Sequence, residues 1–237
     1  MIVFGIDTCC MAATAAIMSD DHLVAQIMIN NQKTHSQKIM PMIEFVANQA
    51  DISIADIDCY AVAVGPGSFT GVRIGVATAK ALAHANDKPC VAVSTLHALA
   101  NNVSEFDGII CPILDARRGQ VYNALFRGRT LERLCDDRTC SIEDLCRDLK
   151  QSYEEIIFLG DGVAVFGEYI KESLGERVVF AQRMDRMNLA ASVAEIGYEK
   201  MQKGKSCKYS ELVPKYLRLS QAERERIEKE ERDKSEK

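Results

Sequence analysis

The sequence has no tryptophan, five prolines, four histidines and only 6% aromatic residues. With so few rings, no aromatic-basic platform for single-stranded nucleic acid stands out along the chain. A net charge of −5 also argues against a phosphate-driven grip on nucleic acid by the chain as a whole. No two histidines stand four residues apart and no His-Glu-x-x-His occurs, so a zinc hydrolase is unsupported. Nine cysteines are scattered without a Cys-x-x-Cys pair and read as reduced thiols of a cytoplasmic protein. Cys135, Cys140 and Cys146 are too loosely spaced for a zinc site. No apolar run reaches spanning length, and no basic segment precedes the first apolar residues. Neither a membrane span nor a signal peptide is therefore expected.

What is present is a soluble-type composition, 47% apolar and 27% charged over 237 residues, enough for one large or two small domains with a full core. The organising stretch runs from Cys59 to Asn86. Its apolar run from Tyr60 to Val64 is short and β-branched, and it ends in Gly65-Pro66-Gly67-Ser68 before an Ala-rich helix. A strand apolar at every position belongs inside a sheet, covered on both faces. Ser68 or Thr70 is placed to cap the helix. Gly71 is followed by Val72-Arg73 and not Lys-Ser/Thr, so this is no P-loop. Gly65, Gly67 and Gly71 also miss the dinucleotide spacing. Two readings stay open: a plain strand-to-helix corner, or an anion seated at the helix start.

Along that helix Gly71, Gly75 and Ala79 recur every fourth residue, leaving a stripe almost without side chains. Two glycines inside a helix cost about 1 kcal/mol each relative to alanine. Something must approach closely: the chain's own sheet, or a partner subunit.

The rest of the chain predicts strands at Met1–Ile6, near 12–18 and at Leu23–Ile29. A helix follows, opened by Thr34 in a capping box with Gln37, with Ile39, Met40, Ile43, Val46, Ala47 and Ala50 on its inner face. Pro41 should bend that helix or mark its start. A strand at Cys90–Val93 leads into a helix capped by Ser94. The pattern then restarts. A shift of 108 residues lays Asp7 on Asp115, Ile6 on Leu114, Ala16 on Ala124 and Ile17 on Leu125. Ile156–Leu159 ends in Gly160-Asp161-Gly162 before a further helix, then a strand at Val178–Phe180 and a helix over Asn188–Lys203. Beyond 220 the chain is charged at nearly every position, so 221–237 is expected as a frayed or disordered tail.

Two halves, each opening on a strand, an Asp and a hairpin, predict an α/β protein of two ribonuclease-H-like lobes, 1–105 and 106–220. Asp7 and Asp115 would face each other across a cleft, where paired carboxylates hold a nucleotide-bound metal. The first hairpin, Thr8-Cys9-Cys10-Met11, is poorly made for phosphate, which wants small or hydroxyl residues there. A weak nucleotide or phosphate cleft of Asp7, Thr8, Asp115, Arg117, Gly160 and Asp161 is the most this supports; no cofactor and no metal are expected.

The run Gly65-Pro66-Gly67-Ser68-Phe69-Thr70-Gly71-Val72-Arg73-Ile74-Gly75 resembles the signature of the TsaB (YeaZ) family. Ile6-Asp7-Thr8, His35-Ser36-Gln37, Leu114-Asp115-Ala116-Arg117 and Pro214-Lys215-Tyr216-Leu217-Arg218 with Gln221-Ala222-Glu223 add to the likeness, which spans about residues 1–226. The resemblance implies an actin/Hsp70-like (ASKHA) fold with two lobes, each a mixed sheet flanked by helices. It also implies a part in placing threonylcarbamoyl on the adenosine beside the anticodon of tRNAs that read codons starting with A.

In that family the catalyst is the related TsaD, whose metal is held by two histidines four residues apart. The corresponding positions here are Thr95 and Leu99, which cannot replace imidazole on a metal. His97 between them is the one departure. The resemblance thus implies a non-catalytic scaffold subunit that pairs with TsaD and supports the ATPase TsaE with its ATP or ADP. It forms a homodimer when TsaD is absent and meets tRNA only through the complex. The implied interface comprises Ser68, Phe69, Thr70, Gly71, Arg73, Gly75, Thr78, Ala79 and Leu82 of one helix with His35, Ile39 and Met42 of the other. The competing reading is an active enzyme, an ATP-dependent ASKHA phosphotransferase or a TsaD-like peptidase.

Overall fold

The computed structural model describes residues 1–31 and 33–218, so the charged tail and Gln221-Ala222-Glu223 lie outside the described residues. Strands β1 (Ile2–Asp7), β2 (Ala13–Ser19) and β3 (His22–Ile29) form an antiparallel meander. On the other side of β1, β4 (Cys59–Ala63) and β5 (Cys90–Val93) run parallel to it, giving the order β3-β2-β1-β4-β5. The fully buried β4 is interior, as its unbroken apolar run requires, but β1 holds the centre.

The second sheet repeats this plan. β6 (Ile109–Asp115), β7 (Gln120–Arg127) and β8 (Arg133–Ser141) form the meander, and β9 (Ile156–Leu159) and β10 (Val178–Phe180) add in parallel beyond β6. Asp7 and Asp115 each end the central strand of their sheet, so the internal repeat holds in three dimensions.

Helices α1 (His35–Gln49) and α2 (Phe69–Asn86) cover one face of the first sheet. Thr34 is the N-cap of α1, but its hydroxyl lies 3.2 Å from Ser36 Oγ and makes no capping bond, so the expected box with Gln37 is absent. Pro41 sits well inside α1 rather than at its start. The inner face of α1 uses Met42, not Met40, which is 50% exposed. The Ser68 hydroxyl caps α2 by accepting from Gly71 N, and the Ser94 hydroxyl caps α3 (Thr95–Asn101) by accepting from His97 N. Strand β8 and helix α4 (Ile142–Leu149) have no counterpart among the expected elements, because β8 is an edge strand whose polar residues mask its alternation.

A boundary near residue 105 divides the two sheets but not the packing. Helix α3 packs on β6 and β7 of the second sheet, while α6 (Ala190–Gln202) crosses back onto β1, β2 and β4 of the first. α4 and α5 (Gly162–Leu174) close the far face of the second sheet. Residues 207–218 also return to the first lobe: Cys207 pairs with Cys90, Leu212 is buried, and Lys215 N donates to Val64 O. Each lobe therefore holds a piece of the other.

Candidate functional site

The tip of the first hairpin is folded onto its own lobe. Cys9 N donates to Asp7 Oδ1 at 2.7 Å, the Cys9 thiol donates to Ala63 O, and Cys9 O accepts from Ser68 N at 2.7 Å. Asp7 and Thr8 are fully buried and do not line the cleft between the lobes, contrary to expectation. Asp7 Oδ2 makes no hydrogen bond, and burial raises the carboxyl pKa to about 6, although Cys9 N and nearby Asn188 favour the anion. The physical reason is Cys9, which is itself buried and bonded to Asp7 and Ala63, so the tip is folded onto the carboxylate where a phosphate hairpin would leave backbone N–H groups open. A nucleotide-bound metal shared by Asp7 and Asp115 does not fit these residues.

The same hairpin decides what fills the small-residue stripe of α2. A Cβ at Gly71 would stand 2.0 Å from Thr8 O, and one at Gly75 would stand 2.5 Å from Thr8 Oγ1. Ala79 is fully buried as well. The stripe is filled from within the chain, by the Thr8 carbonyl at Gly71 and the Thr8 hydroxyl at Gly75, so Gly71, Gly75 and Ala79 are closed inside the lobe. Ile39 and Met42 are likewise core residues of the first lobe. Of the expected interface, Ser68, Phe69, Thr70, Arg73, Thr78, Leu82 and His35 keep exposed or half-exposed positions. The α2 ridge that does face outward is another small-residue stripe, Ala77, Ala81 and Ala85, which carries no signal in the sequence because alanine is ordinary in a helix. Nearby, a groove of about 600 Å³ runs between α1 and residues 52–54, lined by Met40, Pro41, Glu44 and Ile54 and closed on the α2 side by Leu82.

Between the lobes lies a cleft of about 630 Å³ whose walls include Cys10, Met11, Lys33, His35, Ser68, Asp115, Arg117, Tyr122 and Asp161. Asp115, Arg117 and Asp161 thus stand together on the wall of this cleft. Asp115 Oδ2 pairs with Arg117 Nη1 at 3.1 Å, and Asp161 Oδ1 accepts from Asp115 N at 2.9 Å. Burial raises the Asp161 pKa. Gly160 lines a smaller recess of about 260 Å³ with Arg183, Arg186 and Asn188. His35, at the first position of its helix, is half-buried and donates from Nε2 to Cys10 O at 2.9 Å.

Thr95 and Leu99 are buried in the core, and the Thr95 hydroxyl makes no hydrogen bond. His97 stacks on Phe126 at 5.3 Å, with Arg133 over the same ring. Burial and then the Arg133 charge lower its pKa to about 4, so it is a neutral packing residue.

Comparison with known proteins meets this geometry at each level. The family described as TsaD: tRNA N6-adenosine threonylcarbamoyltransferase matches residues 22–226. The tRNA threonylcarbamoyladenosine biosynthesis protein TsaB of Bacillus subtilis is 36% identical over 96% of this chain and 99% of its own. This chain belongs to the TsaB group of that family. An uncharacterised Pseudomonas aeruginosa protein, described as similar to peptidase YeaZ, superposes with a TM-score of 0.80 at 22% identity. The match covers 92% of this chain and 99% of that one, and shows the fold. The ROK hexokinase of Thermus thermophilus shares the wider ASKHA architecture, with a TM-score of 0.51 at 12% identity over 85% of this chain and 100% of its own. This chain thus has two lobes and a cleft, with Asp7, one of its two strand-end carboxylates, sealed away. Among the described residues no helix is long and apolar enough to cross a membrane.

Proposed function

We propose that this chain acts in tRNA threonylcarbamoyladenosine biosynthesis as a non-catalytic partner of a TsaD-type subunit, and that the outer face of α1 and α2 is where the two meet. The observation that carries this reading is that face itself. Ala77 and Ala81 leave the α2 ridge bare, and Met40 stands 50% exposed in the groove that Leu82 of α2 closes. Bare ridges beside exposed apolar side chains suit a close helix-to-helix contact. The buried Asp7 supports the non-catalytic half, since an ASKHA phosphotransferase needs that carboxylate in the cleft.

In this reading the TsaD-type subunit supplies metal and transfer chemistry, and a TsaE-type ATPase with ATP or ADP joins the pair. The same α1–α2 face makes a homodimer when the partner is absent, and any nucleotide in this chain's own cleft is held weakly. The test is Ala81→Arg, which points a charge out of the ridge without touching the core. The variant should melt with the native chain yet no longer co-purify with TsaD, and tRNA from those cells should lose threonylcarbamoyladenosine. Undiminished assembly would overturn the reading. ATP hydrolysis or peptide cleavage by the isolated chain would favour an active phosphotransferase or peptidase.

A further inference from the structure

Three segments distant in sequence converge at the mouth of the cleft: the start of α2, the hairpin after β6, and the closing segment before residue 218. Phe69 and Tyr216 stack at 4.2 Å with their planes 4° apart. Arg73 sits against both rings, 5.3 and 5.5 Å from their centroids, and its Nε donates to Tyr216 OH at 2.8 Å. Arg218 donates to Ala116 O, which holds the closing segment to the hairpin.

Arg73 and Arg218 give these hydrogen bonds to neutral oxygens, so neither charge is cancelled there. The hairpin adds two further guanidinium groups. Arg117 and Arg118 both adopt left-handed backbone conformations, φ 66° and 56°, at the exposed tip. Such conformations cost on the order of 1 kcal/mol each for a side chain other than glycine. Lys33 lines the adjoining wall of the cleft. Among the described residues, the acidic groups bonded at or beside this mouth are Asp115, paired with Arg117, Asp161, bonded to Asp115 N, and Asp137, buried between Arg133 and Lys215. Positive charge is thus concentrated at this mouth in a chain whose net charge is −5.

We propose that this mouth is an RNA-contacting surface, with Arg73, Arg117, Arg118 and Arg218 meeting phosphates and the half-exposed Tyr216 offering a ring to an unpaired base. Charge complementarity together with an aromatic pair favours RNA over an acidic protein, because carboxylates have no use for the ring stack. The proposal rests on the tRNA-modification reading above and adds that this subunit touches the tRNA itself. Arg73 stands one turn before Ala77 on α2, so the rim adjoins the α1–α2 face there, whereas Arg117, Arg118 and Arg218 lie on other segments, off the ridge.

The experiment titrates a labelled, unmodified tRNA transcript with the full chain bound to TsaD, from 50 to 200 mM salt. The Arg117→Gln/Arg118→Gln double variant should bind at least threefold more weakly, with the slope of log K against log salt shallower by about 1 for each phosphate no longer neutralised. Arg127→Gln/Arg129→Gln, which removes equal charge elsewhere in the second lobe, should change neither. Co-purification with TsaD is scored in parallel, so failed assembly is told apart from weakened RNA binding. Unchanged affinity and slope in the first variant, or equal displacement of the tRNA by polyglutamate and by RNA of matched charge, would overturn the proposal.

Discussion

Thr8 Oγ1 donates a 2.7 Å hydrogen bond to Gly71 O, and the same hydroxyl occupies the space where Gly75 lacks a Cβ. The first hairpin is therefore seated in α2 through the two glycines whose stripe, in sequence, is open to either the chain's own fold or a partner. This one relationship turns the stripe inward and leaves the neighbouring alanines to face out.

Gly75→Ala should destabilise the chain by about 2 kcal/mol, since the overpacking outweighs the roughly 1 kcal/mol of helix propensity regained. Thr8→Ala in the same chain should recover part of that loss by removing the hydroxyl. Gly71→Ala should not be rescued this way, because its Cβ meets the Thr8 carbonyl and not a side chain. Urea denaturation of the single and double variants checks the cycle. Equal behaviour of the two glycine positions would show that the hairpin is not seated as described.

Asp7 carries a pH signature. Its folded pKa of about 6 lies above the ordinary carboxyl value of 3.8, so the folded state holds this proton more tightly than the unfolded chain does. Its contribution is most favourable below pH 3.8 and is lost as pH rises through about 6, a change of about 3 kcal/mol. Asp7→Asn keeps an oxygen for Cys9 N and carries no charge. It should be more stable than the native chain at pH 8, with the advantage fading toward pH 4. Unfolding free energies across that range are the measurement, and a pH-independent difference would refute the buried-carboxylate account.

Tyr216→Ala should cost about 2 kcal/mol by removing the ring stacked on Phe69 and the partner of Arg73. Limited proteolysis should then cut the chain within 212–218 sooner than in the native protein. A cleavage pattern identical to the native one would mean that this ring does not hold the segment.

His97 should show no titration above pH 5 in its ring proton resonances, given a pKa near 4. His97→Phe should preserve the stack on Phe126 and change stability by less than about 1 kcal/mol. A larger loss would indicate that an imidazole nitrogen has a partner beyond this packing.

Local features are legible in the sequence. The strand before the Gly65 turn, the caps at Ser68 and Ser94, and the repeat that lays Asp7 on Asp115 depend on residues near one another along the chain or on apolar periodicity. Strand β8 is not legible, because Arg133, Asp136, Asp137 and Arg138 hide its alternation, although Asp137 is buried against Arg133 and Lys215. Met40 and Met42 exchange faces relative to expectation because a pattern of apolar residues does not say which methionine has room inside.

By itself, then, the sequence determined two similar α/β lobes, a glycine corner followed by a small-residue helix, and a first hairpin unsuited to phosphate. Only the tertiary structure decided which side of α2 is closed, that Asp7 is sealed, and that Phe69, Arg73, Arg117, Tyr216 and Arg218 stand together at the mouth of the cleft. The reason is that close approach and desolvation are properties of pairs. A glycine records that something comes near, and an aspartate that charge is available, but only the packed chain supplies the Thr8 hydroxyl against one and removes water from the other.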